Sequence, residues 1–456
     1  MKRLITLSAL AFLSTTAFAN ADMQTQIDDL TKKIDKMEKK QKSQTKQISK
    51  VNKLANKDNI KWDIDFRTSY DALNYKTASE DSHSNGVYSN RLWLGMGYAP
   101  SSTMFFKGQL SFNKAFGADD GQRGSGYDTF DWVVNESLTD DTIKLREAYW
   151  LWSPTVGGFP TTLSVGRRPS TNGYLINLRD DDKAKSPMGH IINMEFDGAS
   201  ASIALDRYIS GMSLKLCLGR GLTNAKAKFD RDDLDYSTDS DSLDNMDLMG
   251  VIFKVYNDGQ YSLMTNYYRG FSVIGLDASD PAAPVMSTFG DMDGAVISGK
   301  IEGIGDEIND FLDETIIFAS FAQSQTRPTN KPMLGSSHDE TGTSYWLGMQ
   351  TPNLTGGKFG LEYNHGSKYW RPFTYGEDTM IGSKMAVRGS AYEAYWTQPI
   401  IDKVFSMQIR YTYLDYEYTG SNDFFGDDGA PVDIQHADGG EVATAEDIRV
   451  YFRYRY

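Results

Sequence analysis

Charged residues occupy every second position in several short segments of this 456-residue chain. In KWDIDFRTSY, Asp63, Asp65 and Arg67 share one parity, and in IRVYFRYRY, Arg449 and Arg453 do the same. Successive side chains of a β-strand point to opposite faces, so each row of charges would project from a single face. Rows of Arg or Lys along a water-filled passage favour anions, and rows of Asp or Glu favour cations. The chemistry open to these residues is therefore the electrostatic selection of solutes.

Sorted by parity, the charged face carries more cations than anions. Its predicted pore-lining residues are Asp63, Asp65, Arg67, Arg91, Lys107, Lys144, Arg146, Lys215, Lys254, Lys300, Glu362, Glu393, Arg410, Arg449, Arg453 and Arg455. The net charge of −14 resides in the connections instead, since residues 230–247 alone contain eight Asp and one Arg. A basic wall behind an acidic mouth predicts weak ion selectivity. The alternative is that the wall cations pair with carboxylates on neighbouring strands, which depends on a register the sequence does not reveal.

Catalytic and metal-binding motifs are absent from the sequence. It has no G-x-S-x-G, H-E-x-x-H or Walker loop, and its five His residues are scattered. The acidic stretch 239–247 lacks the central Gly and distant Glu of a calcium-binding loop. We predict no enzyme activity, no cofactor, no metal site and no nucleic-acid partner; a hydrolase that assembles Ser and His across strands is the enzymatic alternative.

From Lys61 onward the chain consists of segments of about ten residues that alternate apolar and polar side chains. This pattern is typical of transmembrane barrel strands, whose lipid-facing residues are interspersed with polar interior ones. The same interspersion explains how a chain with 26 Tyr and 23 Phe has a mean hydropathy of only −0.48. One segment does not fit: in TIKLREAYWLW, Glu147 shares the parity of Ile143 and Leu145, which a β-bulge would correct.

The connections between these segments alternate in length. Short links fall at 99–102, 256–260 and 398–403, and long ones at 114–141, 169–189, 220–246, 270–293, 325–342, 367–388 and 419–446. Outer-membrane barrels have short turns at one end and long loops at the other. The sequence thus predicts an all-β fold, a transmembrane antiparallel barrel of about sixteen strands over residues 59–456. Aromatic girdles at the two membrane interfaces would include Trp62, Tyr98, Trp150, Trp152, Trp346, Trp396 and Tyr456.

Two further segments precede the barrel. Residues 1–19 have the basic start, apolar run and small-residue site of a secretory signal peptide. Residues 20–58 predict a coiled-coil helix in the periplasm, with oligomerisation through heptad positions. These positions are Ile27, Leu30, Ile34, Met37, Gln41, Gln44, Ile48 and Val51. We expect a homotrimer; the lysines of this helix form either its solvated face or a contact with anionic peptidoglycan.

The final strand resembles the closing strand of bacterial outer-membrane porins. Ile448, Val450, Phe452, Tyr454 and Tyr456 alternate up to a terminal aromatic residue, as in barrels whose last strand is read by the outer-membrane assembly machinery. With its coiled coil, the chain is similar to an uncharacterised porin-like family of outer-membrane proteins, over nearly its whole mature length. That resemblance brings no established substrate.

The resemblance implies residence in the outer membrane among lipid and lipopolysaccharide, with long loops outside the cell. It also implies that the third external loop, here 169–189, folds into the barrel as a constriction, which would contain Arg179, Asp180, Asp181, Asp182, Lys183 and Lys185. The alternative for this segment is an ordinary external loop. We therefore expect passive diffusion of small polar or charged solutes through a water-filled barrel. The alternative function is a structural tether or adhesin linking the outer membrane to the cell wall or to surface partners.

Overall fold

The computed structural model describes residues 60–117, 143–225, 243–280, 282–305, 308–329, 331–374 and 377–456. The compact unit considered below comprises Ile60–Tyr98 and Thr103–Tyr456. The predicted signal peptide and coiled coil lie outside the described residues. The oligomerisation residues Ile27, Leu30, Ile34, Met37, Gln41, Gln44, Ile48 and Val51 therefore remain a prediction.

Sixteen strands of the described residues pair with their sequence neighbours in one antiparallel sheet. They are β1 (Lys61–Thr77), β2 (Ser82–Tyr98), β3 (Met104–Ala115), β4 (Lys144–Trp152), β5 (Phe159–Ser170), β6 (Ile192–Ala204), β7 (Ser213–Leu222), β8 (Met246–Asn257), β9 (Tyr261–Asp277), β10 (Val285–Glu302), β11 (Ile316–Pro328), β12 (Thr341–Pro352), β13 (Lys358–Gly366), β14 (Gly389–Ile401), β15 (Phe405–Tyr416) and β16 (Val442–Arg455). The shorter elements are strands Thr155–Val156, Gly173–Tyr174, Lys185–Met188 and Phe373–Thr374, 3-10 helices Ile176–Leu178 and Ile434–His436, and helix α1 (Asp310–Asp313).

The terminal strand closes the sheet into a ring. β16 pairs with β1 from Asp65 opposite Arg455 to Thr77 opposite Val442. The terminal Tyr456 extends this ladder, exchanging two backbone hydrogen bonds of 2.9 Å with Ile64. A closed ring has no unpaired strand edge, so every strand satisfies its backbone within the sheet. This confirms the predicted closed all-β barrel.

Alternation along the strands separates an apolar outer face from an inner face. Large hydrophobic side chains exposed on the outside recur on most strands, among them Ile64, Phe66, Leu216, Leu218, Phe321, Leu347, Ile409 and Phe452. An outward apolar surface is what hydrocarbon requires of a barrel wall. No helix among the described residues is long and apolar enough to span a membrane.

The bulge expected in β4 is present, and it sets the orientation of two charged side chains. The β3–β4 register shifts so that Leu110 faces Leu145 and Gln109 faces Glu147, which leaves Arg146 as the extra residue. Both Arg146 and Glu147 are consequently buried on the inner face. A strict period of two would have put the Glu147 carboxylate on the lipid side.

Connection lengths follow the predicted alternation with exceptions, such as the four-residue link 78–81 between β1 and β2 at the long-loop end. The expected long connection 270–293 is only 278–284, because β9 and β10 continue beyond the point where their alternation is visible. Register shifts between Gly270 and Ile274 interrupt the period of two and hide the strand. At the short-turn end, residues 303–315 form a longer link that contains α1.

Several connections from the long-loop end have side chains buried inside the ring, including Met333 and Leu334 between β11 and β12. We call residues 171–191 the crossing segment, residues 367–374 and 377–388 the docked segment, and residues 417–441 the cap segment. Their buried apolar residues, such as Ile176, Trp370 and Phe425, join inward side chains of β8 to β12 in one apolar core. The barrel interior is thus partly a packed core.

This apolar sector departs from the expected polar interior. Its wall is formed by Leu248, Ile252, Met264, Tyr268, Met292, Val296, Phe318 and Trp346, which are all buried. Trp346, expected in an interfacial girdle, has no exposed surface and points inward. The physical reason is that the wall packs against protein there, so the inner face needs apolar partners rather than groups suited to water.

Candidate functional site

All the predicted pore-lining residues lie on the inward face of their strands. They differ in how far they are covered. Asp63, Asp65, Lys107, Lys144, Lys215, Lys254, Lys300 and Arg455 retain intermediate or full exposure, whereas Arg67, Arg91, Arg146, Glu362, Glu393, Arg410, Arg449 and Arg453 are buried. The second group contacts the inward segments or neighbouring strands rather than open water. These eight side chains are therefore covered by protein rather than by water.

The wall presents like charges directly opposite each other. Arg67 faces Arg91 on β2 and Arg453 on β16, and Arg410 faces Arg449 across β15 and β16. Like charges at opposed positions repel, and burial increases the repulsion because the effective dielectric constant falls. This arginine cluster therefore requires anionic partners.

Asp378 of the docked segment is a counter-ion shared by Arg67, Arg91 and Arg449. Its carboxylate accepts a pair of hydrogen bonds from Arg67, one of them 2.6 Å long. It lies 3.6 Å from Arg91 Nη1 and 3.3 Å from Arg449 Nη1, and its backbone carbonyl accepts from Arg410 and Arg449. Burial alone would raise the pKa of Asp378, but Arg67 and Arg449 hold it well below its usual range.

A matching arrangement with reversed charges lies on β13 and β14. Glu362 faces Glu393, and both carboxylates are buried. Lys384 of the docked segment lies 2.7 Å from Glu362 Oε2 and 2.5 Å from Glu393 Oε1. Arg179 of the crossing segment completes the group, 2.8 Å from Glu393 Oε2. The inward segments thus carry charges complementary to each like-charged part of the wall.

The crossing segment leaves the wall between β5 and β6 and contacts strands on the far side of the ring. Its backbone carbonyls at Leu178 and Arg179 accept hydrogen bonds of 2.9 Å from Gln350 on β12 and Gln408 on β15. The Asp182 carboxylate lies 3.3 Å from a guanidinium nitrogen of Arg453. The segment therefore spans the barrel interior.

The residues predicted for the constriction occupy different positions along this span. Arg179 and Asp180 are buried, whereas Asp181 and Lys183 are exposed. Lys185 returns toward the near wall, where its ammonium lies 2.7 Å from Glu147. The segment was expected inside the barrel or as an ordinary external loop, and its contacts place it inside.

A cavity of about 600 Å³ remains between the crossing segment and the short-turn end of the wall. Its lining includes five lysines and one acidic residue: Lys183, Lys185, Lys215, Lys254, Lys300 and Asp182. Asp182 already lies within 3.3 Å of both Arg453 and Arg455. The cavity wall is therefore strongly cationic.

A His–Ser arrangement does assemble inside the barrel. His190 lies with Nδ1 2.7 Å from Ser320 Oγ and Nε2 2.9 Å from Ser344 Oγ. Its ring also lies 5.7 Å from the rings of Trp346 and Trp370. All five side chains are buried, so a substrate has no access to either hydroxyl. The arrangement packs the crossing segment against the wall and against Trp370 of the docked segment.

A family model described as "Protein of unknown function (DUF3373)" matches residues 81–456. The chain belongs to this family. No similar protein was found among curated sequences. The closed ring of sixteen strands and its apolar outer face give the chain the fold of an outer-membrane porin-like β-barrel.

Solved outer-membrane proteins share a distant likeness with the chain. The anion-selective porin from Comamonas acidovorans is 11% identical, with 87% of this chain and 100% of that chain covered and a TM-score of 0.47. OprB of Pseudomonas putida is 10% identical, with 87% and 94% covered and a TM-score of 0.48. The trimer form of OmpT from Vibrio cholerae is 11% identical, with 87% and 99% covered and a TM-score of 0.47.

The counter-ions Asp378 and Lys384 were missed in the sequence, as was the aromatic anchor Trp370. A signal for them existed, because residues 367–388 combine charges with Trp370, Phe373, Ile381, Met385 and Val387. Large apolar side chains are unusual in a solvated loop and indicate that the loop packs against something. The sequence does not reveal which residues Asp378 and Lys384 contact, because their partners lie on strands that are distant in sequence.

Proposed function

We propose that the protein is an outer-membrane porin through which small polar or charged solutes diffuse passively. The observation that carries this proposal is a closed, apolar-faced barrel that retains a water-accessible, charged cavity inside. Passage of this kind needs no cofactor, only a polar route and side chains that replace part of a solute's hydration. The route would run past the crossing segment, which narrows the interior.

The accessible wall residues are the proposed pore lining. They are Asp63, Asp65, Lys107, Lys144, Lys215, Lys254, Lys300 and Arg455, with Lys183 and Lys185 from the crossing segment. The long-loop end is proposed to face outside, among lipopolysaccharide, and the short-turn end the periplasm. We further propose that residues 20–58 form a periplasmic coiled coil that trimerises the barrel and contacts peptidoglycan.

Planar-bilayer recording of the purified full-length protein tests the proposal. A porin gives stepwise increases in conductance that remain in symmetric salt and scale with its concentration. Passive diffusion would be contradicted if the bilayer showed no increase in conductance while circular dichroism showed the protein folded as β-sheet.

The filled part of the interior favours a second candidate, a structural tether between the outer membrane and the cell wall. Arg146, Arg410 and Arg449 are at most 1% exposed, so much of the interior serves packing rather than passage. If the protein is a tether, we expect no conductance steps in the bilayer and co-sedimentation of the protein with isolated peptidoglycan. Loss of co-sedimentation on deleting residues 22–57 would assign that contact to the predicted coiled coil.

A further inference from the structure

The lysines around the interior cavity form a continuous patch on neighbouring strands. Lys254 on β8 is paired with Ser213 on β7, which places it diagonal to Lys215 on the same inward face. Diagonal side chains of this kind are within reach of one another when they are long. Two strands further along, Lys300 on β10 is paired with Ser262 on β9.

Three of the five cavity lysines have no acidic partner among the residues that the structure describes. Among the described residues, neither Lys183 nor Lys254 has a carboxylate within 4.0 Å. Lys215 donates a hydrogen bond of 2.6 Å to the Ser186 hydroxyl, which carries no charge. Of the five cavity lysines, Lys185 and Lys300 alone have acidic partners within the described part of the chain, at 2.7 and 2.5 Å. A cluster of ammonium groups without counter-ions repels itself unless an anion joins it.

The cavity also supplies neutral hydrogen-bonding groups and is accessible to water. Asn177, Ser202, Ser213 and Ser262 contribute amide and hydroxyl groups to its lining. Lys183 and the adjacent Ala184 are exposed, so the cavity is open to solvent. Ammonium and hydroxyl donors around a wet cavity of about 600 Å³ suit a small, multiply charged oxyanion.

We propose that this cavity is a binding site for small oxyanions, namely solutes that carry a phosphate or similar divalent group. Lys183, Lys215 and Lys254 would supply the charge, and the neighbouring hydroxyl groups would orient the oxygens. The inference deepens the proposed porin function and rests on it for the route by which the anion reaches the cavity. Its binding chemistry can nevertheless be measured without any conductance.

Calorimetric titration of the detergent-solubilised full-length protein with inorganic phosphate at low salt tests the site. Low salt keeps the screening of charges small. The double variant Lys215→Gln/Lys254→Gln should bind phosphate at least about tenfold more weakly, because each replacement removes a charged hydrogen-bond donor. Sulfate should compete with phosphate, and acetate, with a single charge, should compete less well.

The matched control is Lys368→Gln/Lys403→Gln, which removes the same charge from two exposed lysines outside the cavity lining. It should bind phosphate as tightly as the unmodified protein. Equal binding by both double variants, or no saturable binding by the unmodified protein, would overturn the proposal. Because Lys215 and Lys254 lie in strands, circular dichroism of each variant must show that the β-sheet is intact. The variant Lys183→Gln is a second test, since Lys183 is exposed on the crossing segment and its replacement leaves the barrel wall unchanged.

The outcomes separate this inference from the proposed function. Phosphate binding by a protein that gives no conductance would support the oxyanion site and refute diffusion through the barrel. Conductance without phosphate binding would refute the oxyanion site and leave the porin proposal standing.

Discussion

Replacing Asp378 by Asn tests whether the docked segment is held by charge. The substitution keeps the shape of the side chain and removes the shared counter-ion of the arginine cluster. Asp378 lies 3.3 Å from Arg449 and 3.6 Å from Arg91. At an effective dielectric constant of about 20, each such pair contributes roughly 5 kcal/mol of Coulomb attraction before desolvation is counted. The measured loss on removing one partner of a buried ion pair is about 3–5 kcal/mol.

This loss should appear in one of two ways. If the docked segment stays in place, the free energy of unfolding falls by about 3–5 kcal/mol, because the buried Arg67 guanidinium loses its carboxylate partner. If the segment leaves the barrel instead, the interior opens and single-channel conductance rises. Denaturant unfolding followed by circular dichroism measures the first effect, and planar-bilayer recording measures the second.

The matched control is Asp181→Asn on the crossing segment. Asp181 also forms an ion pair, with its carboxylate 2.5 Å from Lys358 Nζ, but the two side chains are 57% and 41% exposed. Exposed pairs contribute about 0–1 kcal/mol, so this variant should behave almost as the unmodified protein does. An Asp378→Asn variant that matches the unmodified protein in both stability and conductance would refute the role given to Asp378.

The pH dependence of the same variant gives an independent check. Because the pKa of Asp378 is lowered in the folded state, its contribution is fully present above the ordinary value of 3.8 and is lost as the pH falls below it. The stability difference between the unmodified protein and Asp378→Asn should therefore stay constant from about pH 7 to pH 5 and shrink only in stronger acid. A difference that disappears near pH 6 would contradict this.

Three further changes have defined expected results. Lys384→Met should lower the free energy of unfolding by about 3–5 kcal/mol at pH 7, because two facing glutamates lose a buried partner; partial recovery of stability on acidification, as the glutamates become protonated, would support this cause. Gly342→Ala should cost about 1–3 kcal/mol, since a Cβ there would lie 2.3 Å from the Trp370 backbone of the docked segment; unchanged stability would mean that the wall and segment do not approach so closely. Deleting residues 22–57 should convert the proposed trimer into monomers by light scattering in detergent, and an unchanged mass would show that the predicted coiled coil does not hold the oligomer together.

Much of the barrel could be predicted because its causes are local. A period of two in side-chain polarity distinguishes the two faces of a strand, and the alternation of loop lengths distinguishes the two ends of a barrel. Even the β4 bulge was predictable, since Glu147 on the lipid side would be costly. Where irregular backbone broke the period, as between Gly270 and Ile274, the strand was mistaken for a loop.

The candidate site was predictable in part. The inward orientation of Arg67, Arg449 and Glu393 follows from parity alone. Whether such residues meet water or protein does not, because that depends on how loops fold over them. The constriction residues from Arg179 to Lys185 were expected from a resemblance, and their contacts with the far wall appear only in the folded molecule.

The amino-acid sequence by itself thus determined the alternation, the approximate strand number and the face on which each charge lies. Tertiary structure decided what those charges contact. Like charges such as Glu362 and Glu393 become neighbours only through strand register, and their partners Lys384 and Arg179 come from connections that enter the barrel. The physical reason is that polarity patterns are set by the nearest residues along the chain, whereas electrostatic complementarity is set by distances between residues far apart in it.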